Sequence, residues 1–155
     1  MIEPLTGQRL AQVYLQRTKR EYTLFCQAVA AQYPNAIKIR MVQDNLNTHD
    51  ASAFYENLPA DEALALAERF EFYYTPKSAS WLNMIEIEFS ALSRQCLNRR
   101  IPTIEKLEQE ILALVAERTE QKIKIDWQFS IQTARSKLNS HYVAVQSANE
   151  KFKAT

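Results

Sequence analysis

Thr75-Pro-Lys-Ser-Ala-Ser-Trp-Leu-Asn-Met-Ile-Glu-Ile-Glu-Phe-Ser-Ala-Leu92 begins as a turn and continues as a helix. Pro76 ends what precedes it, because its ring biases Thr75 towards extended geometry and removes a backbone donor. Ser78 and Ser80 are residue types that cap the free N–H groups of a following helix. From there Trp81, Ile85, Phe89, Leu92 and Cys96 recur at helical spacing. They form an apolar stripe expected to anchor the helix on a sheet. Glu86 and Glu88 interrupt the segment. A carboxylate on a core-facing helix is costly to bury unless something pairs with it, and a metal ion is one such partner. The plainer reading sends one or both to solvent, as on most amphipathic helices. Periodicity favours neither acid as a ligand, and Glu88 lies nearer the stripe.

Upstream of this stretch, Phe70-Glu-Phe-Tyr-Tyr-Thr75 is aromatic and β-prone. Before it come a helical segment at Ala60–Arg69 and another at about 48–58, separated by Pro59. Asn47 and Thr48 are of capping type. Residues 36–42 alternate, with Ile37, Ile39 and Met41 on one side, and predict a strand. Thr18 can cap a helix to about Tyr33, with Tyr22, Phe25, Cys26, Val29 and Ala30 on one face. Residues 10–16 alternate in part and read as a further strand, while residues 1–9, with Pro4 and Gly7, read as irregular and polar. Downstream, the Trp81 helix runs to about Arg99. Pro102 and Thr103 open a helix with Ile104, Leu107, Ile111, Leu114 and Val115 as its stripe. Residues 123–129 read as extended or loop, and Ser130 caps a last helix to about His141. The order β–α–β–α–α–β–α–α–α predicts an α/β layer fold with strands at least partly parallel. Residues 1–142 form the folded part and 143–155 a weakly patterned tail.

The chain has 155 residues, 46% apolar and 24% charged, within the range of one ordinary globular domain. One Gly and five Pro leave little room for tight hairpins. Nineteen basic and 18 acidic residues give a net charge of +1, so nucleic-acid binding would rest on local clusters. Cys26 and Cys96 lie in apolar helical patterns and read as free, buried thiols of a cytoplasmic protein, without zinc-like spacing. No run is long enough to span a membrane, and no signal peptide pattern opens the chain. A glycine-rich phosphate loop is excluded by the single Gly7.

Parallel sheets place chemistry at the carboxyl ends of their strands. Asp44 is there, just after the strand that ends near Val42. It and Glu86 can converge on a hard divalent cation such as Mg²⁺, which needs only one or two carboxylates and keeps several waters. Two such ions can clamp the attacking and leaving oxygens of a phosphodiester. The alternative for Asp44 is a turn or helix-capping residue. His49 is a metal ligand or base, or more plainly a local hydrogen-bonding residue. Asn45, Asn47 and Thr48 tie down the loop. Lys77 before the Trp81 helix, and Arg94, Arg99 and Arg100 near its end, can contact flanking phosphates, or can sit as cations at a helix C-terminus.

Met41-Val-Gln-Asp-Asn-Leu-Asn-Thr-His49 resembles the second-aspartate motif of DDE-type transposases. Pro76 to Ser90 is similar to the third-acid motif of the insertion-sequence branch related to mariner elements. The signature Leu-Asn-x-x-Glu of that motif is matched by Leu82, Asn83 and Glu86. The segments Leu92–Ile101 and Asp126–Phe129 also look familial, and the resemblance covers about residues 3–142. It implies an RNase H-like fold and Mg²⁺- or Mn²⁺-dependent hydrolysis and strand transfer at transposon DNA ends. It selects Glu86 over Glu88 as the third catalytic, metal-binding acid and makes Asp44 the second. Lys77, Arg94, Arg99 and Arg100 would hold DNA. Asn45, Asn47, His49, Trp81 and Asn83 would support the site. The setting implied is the bacterial cytoplasm or nucleoid.

One departure stands out. The family's first aspartate lies on the first strand of its sheet, yet residues 1–43 contain no aspartate. The chain therefore resembles the C-terminal part of a catalytic domain, incomplete at its N-terminus with the first strand missing, and expected to be inactive alone. Three readings follow. The chain is an enzyme domain active only with an upstream transposase fragment that supplies the missing strand and aspartate, its exposed sheet edge being covered by that fragment or by another copy in a homo-oligomer. It is a non-catalytic remnant that binds DNA or a transposase partner. Or it is a plain α/β globule.

Overall fold

The computed structural model describes residues 1–44, 46, 48–75, 83–128, 130–137, 139 and 143. Contacts divide the chain into two compact units, Met1–Ile125 and Asp126–Thr155.

The first unit is built on a parallel pair of strands, β1 (Ile39–Gln43) and β2 (Phe70–Tyr74), in register Ile39↔Phe70 to Gln43↔Tyr74. The connection is α2 (Ser52–Asn57) followed by α3 (Ala60–Arg69), and α1 (Lys19–Gln32) precedes β1. Together these make the mixed α/β arrangement with parallel pairing that the sequence predicts.

Helix α1 starts where Thr18 and Glu21 form a reciprocal capping box. It buries Tyr22, Thr23, Cys26 and Val29, as their spacing requires. These pack with Ala53 and Phe54 of α2, Ala63 and Leu66 of α3, and Phe70 of β2. Phe54 is wholly buried, with the rings of Tyr22, Phe70 and Phe72 at centroid distances of 6.0, 6.3 and 6.3 Å. Thr23, also buried, satisfies its hydroxyl on the carbonyls of Lys19 (2.9 Å) and Ala53 (3.0 Å). Burial pushes the Cys26 thiol up to about 12. Both cysteines are free and buried, as expected.

Several expectations are corrected. Residues 10–16 form no strand: the backbone N–H of Leu10 bonds to Met1, and Leu15 is exposed. Alternation prepares a segment for one-sided burial but supplies no partner strand. Ile37 is 90% exposed because β1 begins only at Ile39, leaving Ile39 and Met41 to face the core. Helix α2 is shorter than residues 48–58, and its first turn is held by Asp50, whose carboxylate accepts the Ser52 N–H at 2.7 Å. Thr48 does not cap it; its Oγ1 is buried without a hydrogen-bond partner. Pro76, Lys77, Ser78, Ser80, Trp81 and Leu82, with Asn45 and Asn47, lie outside the described residues.

Helix α4 (Ile85–Gln95) keeps most of the expected stripe inward, with Ile85 and Leu92 half-buried, but is rotated so that Phe89 leaves it and Glu88 joins it. Glu88, Ala91 and Cys96 are buried, whereas Phe89 is 54% exposed. The cause is electrostatic. Arg9 Nε and Nη2 donate to Glu88 Oε2 and Oε1, both at 2.8 Å, and Arg118 Nη2 donates to Oε1 at 2.9 Å. The side chains of Arg9 and Glu88 are only 2% and 8% exposed. Burial would raise the Glu88 carboxyl, but the two guanidinium groups outweigh it and hold the group at about 2.

Arg118 lies on α5 (Ile104–Glu120), which Thr103 caps by accepting the Lys106 N–H at 3.2 Å. The stripe Ile104, Leu107, Ile111, Leu114 and Val115 has the expected phase, but each residue is only half-buried. Residues 1–9, expected to be irregular, form a small turned-back segment with an Ile2↔Arg9 bridge. It is knit to the end of α5: Arg9 Nη1 reaches the carbonyls of Gly7 (2.6 Å) and Arg118 (3.2 Å), Nη2 that of Ile123 (2.8 Å), and Ile125 N–H donates to Pro4 (3.1 Å). Gly7 holds a φ of +81°, and a Cβ there would come within 2.8 Å of the Lys122 carbonyl carbon.

In the second unit, Ser130 Oγ accepts the Thr133 N–H at 3.1 Å and caps α6 (Ile131–Lys137), as its position implies.

Removing one partner of a buried ion pair leaves the other charge unpaired, so Glu88→Ala should cost about 3–5 kcal/mol in chemical denaturation. With the Glu88 carboxyl lowered to about 2 from an ordinary 4.5, its stabilisation is complete above about pH 4.5 and disappears as pH falls towards 2. Acid titration of wild type against Glu88→Gln should show that difference. Gly7→Ala should lose more than about 1 kcal/mol by the same denaturation measurement.

Candidate functional site

The carboxyl end of β1 is set by Gln43, which is buried. Its Oε1 accepts the Tyr22 hydroxyl at 2.9 Å, and its Nε2 donates to the His49 carbonyl at 2.9 Å. Its own carbonyl accepts the Thr75 N–H at 2.9 Å, extending the parallel ladder one step past β2. Burial pushes the Tyr22 phenol far above its ordinary range, so it acts here as a neutral donor. The Tyr22 ring stacks on His49, with centroids 4.9 Å apart and planes 25° apart. The turn closes where His49 N–H donates to Leu46 at 2.9 Å.

The product of this local network is the placement of Asp44. It stands one residue past β1 with its side chain 50% exposed, and its Oδ1 accepts from His49 Nδ1 at 2.6 Å. An anchored carboxylate that keeps an open side is what a partly hydrated hard cation can use. His49 is thereby tied to Asp44 through Nδ1 and to the Tyr22 ring by stacking.

Glu86 is exposed on the first turn of α4. Asn83 Oδ1 accepts the Ile85 N–H at 3.3 Å and helps start that turn. Glu86 shares a shallow open depression with Phe89, Ser90, Ser93 and Arg94. Arg94 Nε donates to the Ser90 carbonyl at 3.2 Å. Arg99 pairs with Glu110 of α5 at 2.7 Å, as does Lys106 at 3.0 Å, so part of the Arg99 charge is spent within the protein. Arg100 is exposed.

Among the sequence-derived residues, Asp44 is bonded to His49 at the sheet end, and Glu86 shares its depression with Arg94 on α4. Among the described residues, no three His, Cys, Asp or Glu side chains are grouped to hold a metal ion, and no helix is long and apolar enough to cross a membrane.

Sequence reasoning missed Gln43 and Tyr22, and the two arginines that bury Glu88. A signal for the latter was present. Arg118 falls seven residues after Ile111, on the apolar stripe of α5, while Glu88 falls on that of α4. Opposite charges on the buried stripes of successive helices are candidates for one another. Gln43 carried no comparable signal, since its role needs α1 and the loop at once.

A family model described as DDE superfamily endonuclease matches residues 1–108. No curated protein and no solved structure matches the chain.

Gln43→Leu should strand the Tyr22 hydroxyl and release the loop from the strand end, costing about 1–3 kcal/mol. Faster amide hydrogen exchange at His49, against unchanged exchange in α5, should report the release.

Proposed function

The match spans residues 1–108 of 155, so the chain belongs to the DDE superfamily endonucleases, and we propose that it is the catalytic portion of an insertion-sequence transposase. The fold is RNase H-like, with residues 1–142 forming the catalytic part and 143–155 a tail. The activity is cleavage and strand transfer of DNA at transposon ends, with Mg²⁺ or Mn²⁺, in the bacterial cytoplasm or nucleoid. The observation that carries this reading is Asp44: an open carboxylate anchored on one oxygen, at the carboxyl end of a parallel sheet, in a chain of this family.

Asp44 and Glu86 are the two acids of the site. Both are exposed oxygen donors of the kind Mg²⁺ accepts. When bound, the cation supplies Lewis-acid charge at the phosphodiester. His49 keeps Asp44 oriented by occupying Oδ1 alone, and Asn83 starts the helix that presents Glu86. Lys77, Arg94, Arg99 and Arg100 receive phosphates flanking the scissile bond, and Asn45, Asn47 and Trp81 support the site. The mariner-related branch fits the Leu82-Asn83-x-x-Glu86 pattern.

Residues 1–43 contain no aspartate; in this reading an upstream transposase fragment supplies the family's first aspartate, and the chain without it is inactive. The same absence supports a second reading, a non-catalytic family member that binds DNA or pairs with a transposase.

Calorimetric titration with Mn²⁺ should give a site heat in the wild type. Asp44→Asn and Glu86→Gln should each weaken that site by more than about tenfold. Identical binding by all three proteins would sink the site assignment. Nicking of transposon-end DNA should appear only after addition of an upstream transposase fragment; persistent inactivity would select the non-catalytic reading.

A further inference from the structure

Phe89 is the residue whose placement the packing of the protein leaves unexplained. Helical spacing assigns it to the core, yet it is 54% exposed. Its neighbour Glu88 takes the inward position, held there by Arg9 and Arg118. One residue step turns a helix by about 100°, so fixing Glu88 inward swings Phe89 outward. Phe89 then falls on the line Glu86, Phe89, Ser90, Ser93, Arg94, spaced i, i+3, i+4, i+7 and i+8. All five are exposed and line one open depression.

The chemistry of that line is mixed in a specific way. It offers an aromatic face, two hydroxyls, a guanidinium and a carboxylate within about two helical turns. The bond from Arg94 Nε to the Ser90 carbonyl lays the guanidinium along the helix. Its terminal nitrogens make no hydrogen bond or ion pair among the described residues. A ligand that covers an aromatic ring while offering anions to hydroxyls and a guanidinium is a nucleotide with its base unstacked. Aromatic stacking on unpaired bases tolerates any sequence, because every base has a π-face. Inside a duplex the base faces are stacked on one another and only edges and phosphates are presented, so a duplex interior would leave Phe89 uncovered.

We propose that Phe89 is a base-stacking residue that holds an unpaired nucleotide beside the scissile phosphodiester, with Ser90, Ser93 and Arg94 on the adjoining backbone. The site therefore prefers DNA with a single-stranded end over a blunt duplex. The proposal rests on Glu86 being an acid of the nuclease site, because that is what places the nucleotide beside the reacting bond.

The test is fluorescence anisotropy in EDTA with two labelled DNAs, one duplex carrying a short single-stranded overhang and the same duplex with blunt ends. Wild type should favour the overhang. Phe89→Ala should lose about tenfold on the overhang and little on the blunt DNA, and Phe89→Trp should retain the preference. Phe89 is exposed, so both variants should keep the wild-type circular dichroism spectrum. The proposal is overturned if wild type shows no preference, if the preference survives Phe89→Ala, or if Phe89→Trp loses as much as Phe89→Ala. Because EDTA removes the cation, this result is independent of the Mn²⁺ titration. A wild type without the overhang preference but with Mn²⁺ binding intact rejects base stacking and leaves the nuclease site standing; absence of Mn²⁺ binding rejects the nuclease site, and with it the placement of the stacked nucleotide beside the reacting bond.

Discussion

A single carboxylate, that of Glu88, holds together three parts of the chain that are far apart in sequence. Its oxygens receive Arg9 from the N-terminal segment and Arg118 from the end of α5, while Glu88 itself belongs to α4. Among the described residues, the hydrophobic core defined by α1, α2, α3 and β2 has no counterpart of this size around α4 and α5. Those two helices contribute few buried apolar residues, Ala91 and the neighbouring Cys96 among them, and α5 contributes none. Charge satisfaction thus performs here what apolar burial performs around Phe54. Such a cluster is demanding, since every donor must find an oxygen once water is excluded. The Gly7, Arg118 and Ile123 carbonyls accept the remaining guanidinium hydrogens of Arg9. The tight backbone approach between Gly7 and Lys122 follows from that convergence.

The inward turn of Glu88 decides what α4 shows to solvent. A helix has one rotation about its axis, so a buried acid at 88 exposes 86, 89, 90, 93 and 94 together. Glu86 and Glu88 look equivalent as composition, but they do opposite work. Glu88 is neutralised and structural, and Glu86 is left open. The pair shows why an acid on an apolar stripe cannot be assigned to a metal by its cost of burial alone: arginine meets that cost as well as a cation does.

Asp44 is placed by different means. Its position depends on the strand end, on the tight turn to His49, and on Gln43 bridging Tyr22 and the loop. That arrangement is rooted in the core of α1–α3 and the sheet. The two acids are thus fixed by separate devices, one by buried hydrogen bonding and one by a buried ion cluster.

The sequence by itself determined the helices, both strands of the parallel pair, the α1 cap at Thr18, and the placement of Asp44 just past a strand end. These depend on local periodicity, capping chemistry and proline punctuation, which neighbours in the chain encode directly. The family was legible too, in the resemblance carried by Met41–His49 and Leu82-Asn83-x-x-Glu86, and the family model matches residues 1–108. Only the tertiary structure decided that Glu88 turns in and Phe89 out at the edge of the α4 stripe, that residues 10–16 make no strand, and that Arg9 and Arg118 are internal. Each of those outcomes turns on a partner supplied from elsewhere: a pairing edge that residues 10–16 lack, and opposite charges some 79 and 30 residues away from Glu88. Hydrophobic periodicity ranks side chains by their own cost of leaving water. It carries no information about a distant guanidinium that cancels the cost, and for α4 that cancellation set the rotation of the helix.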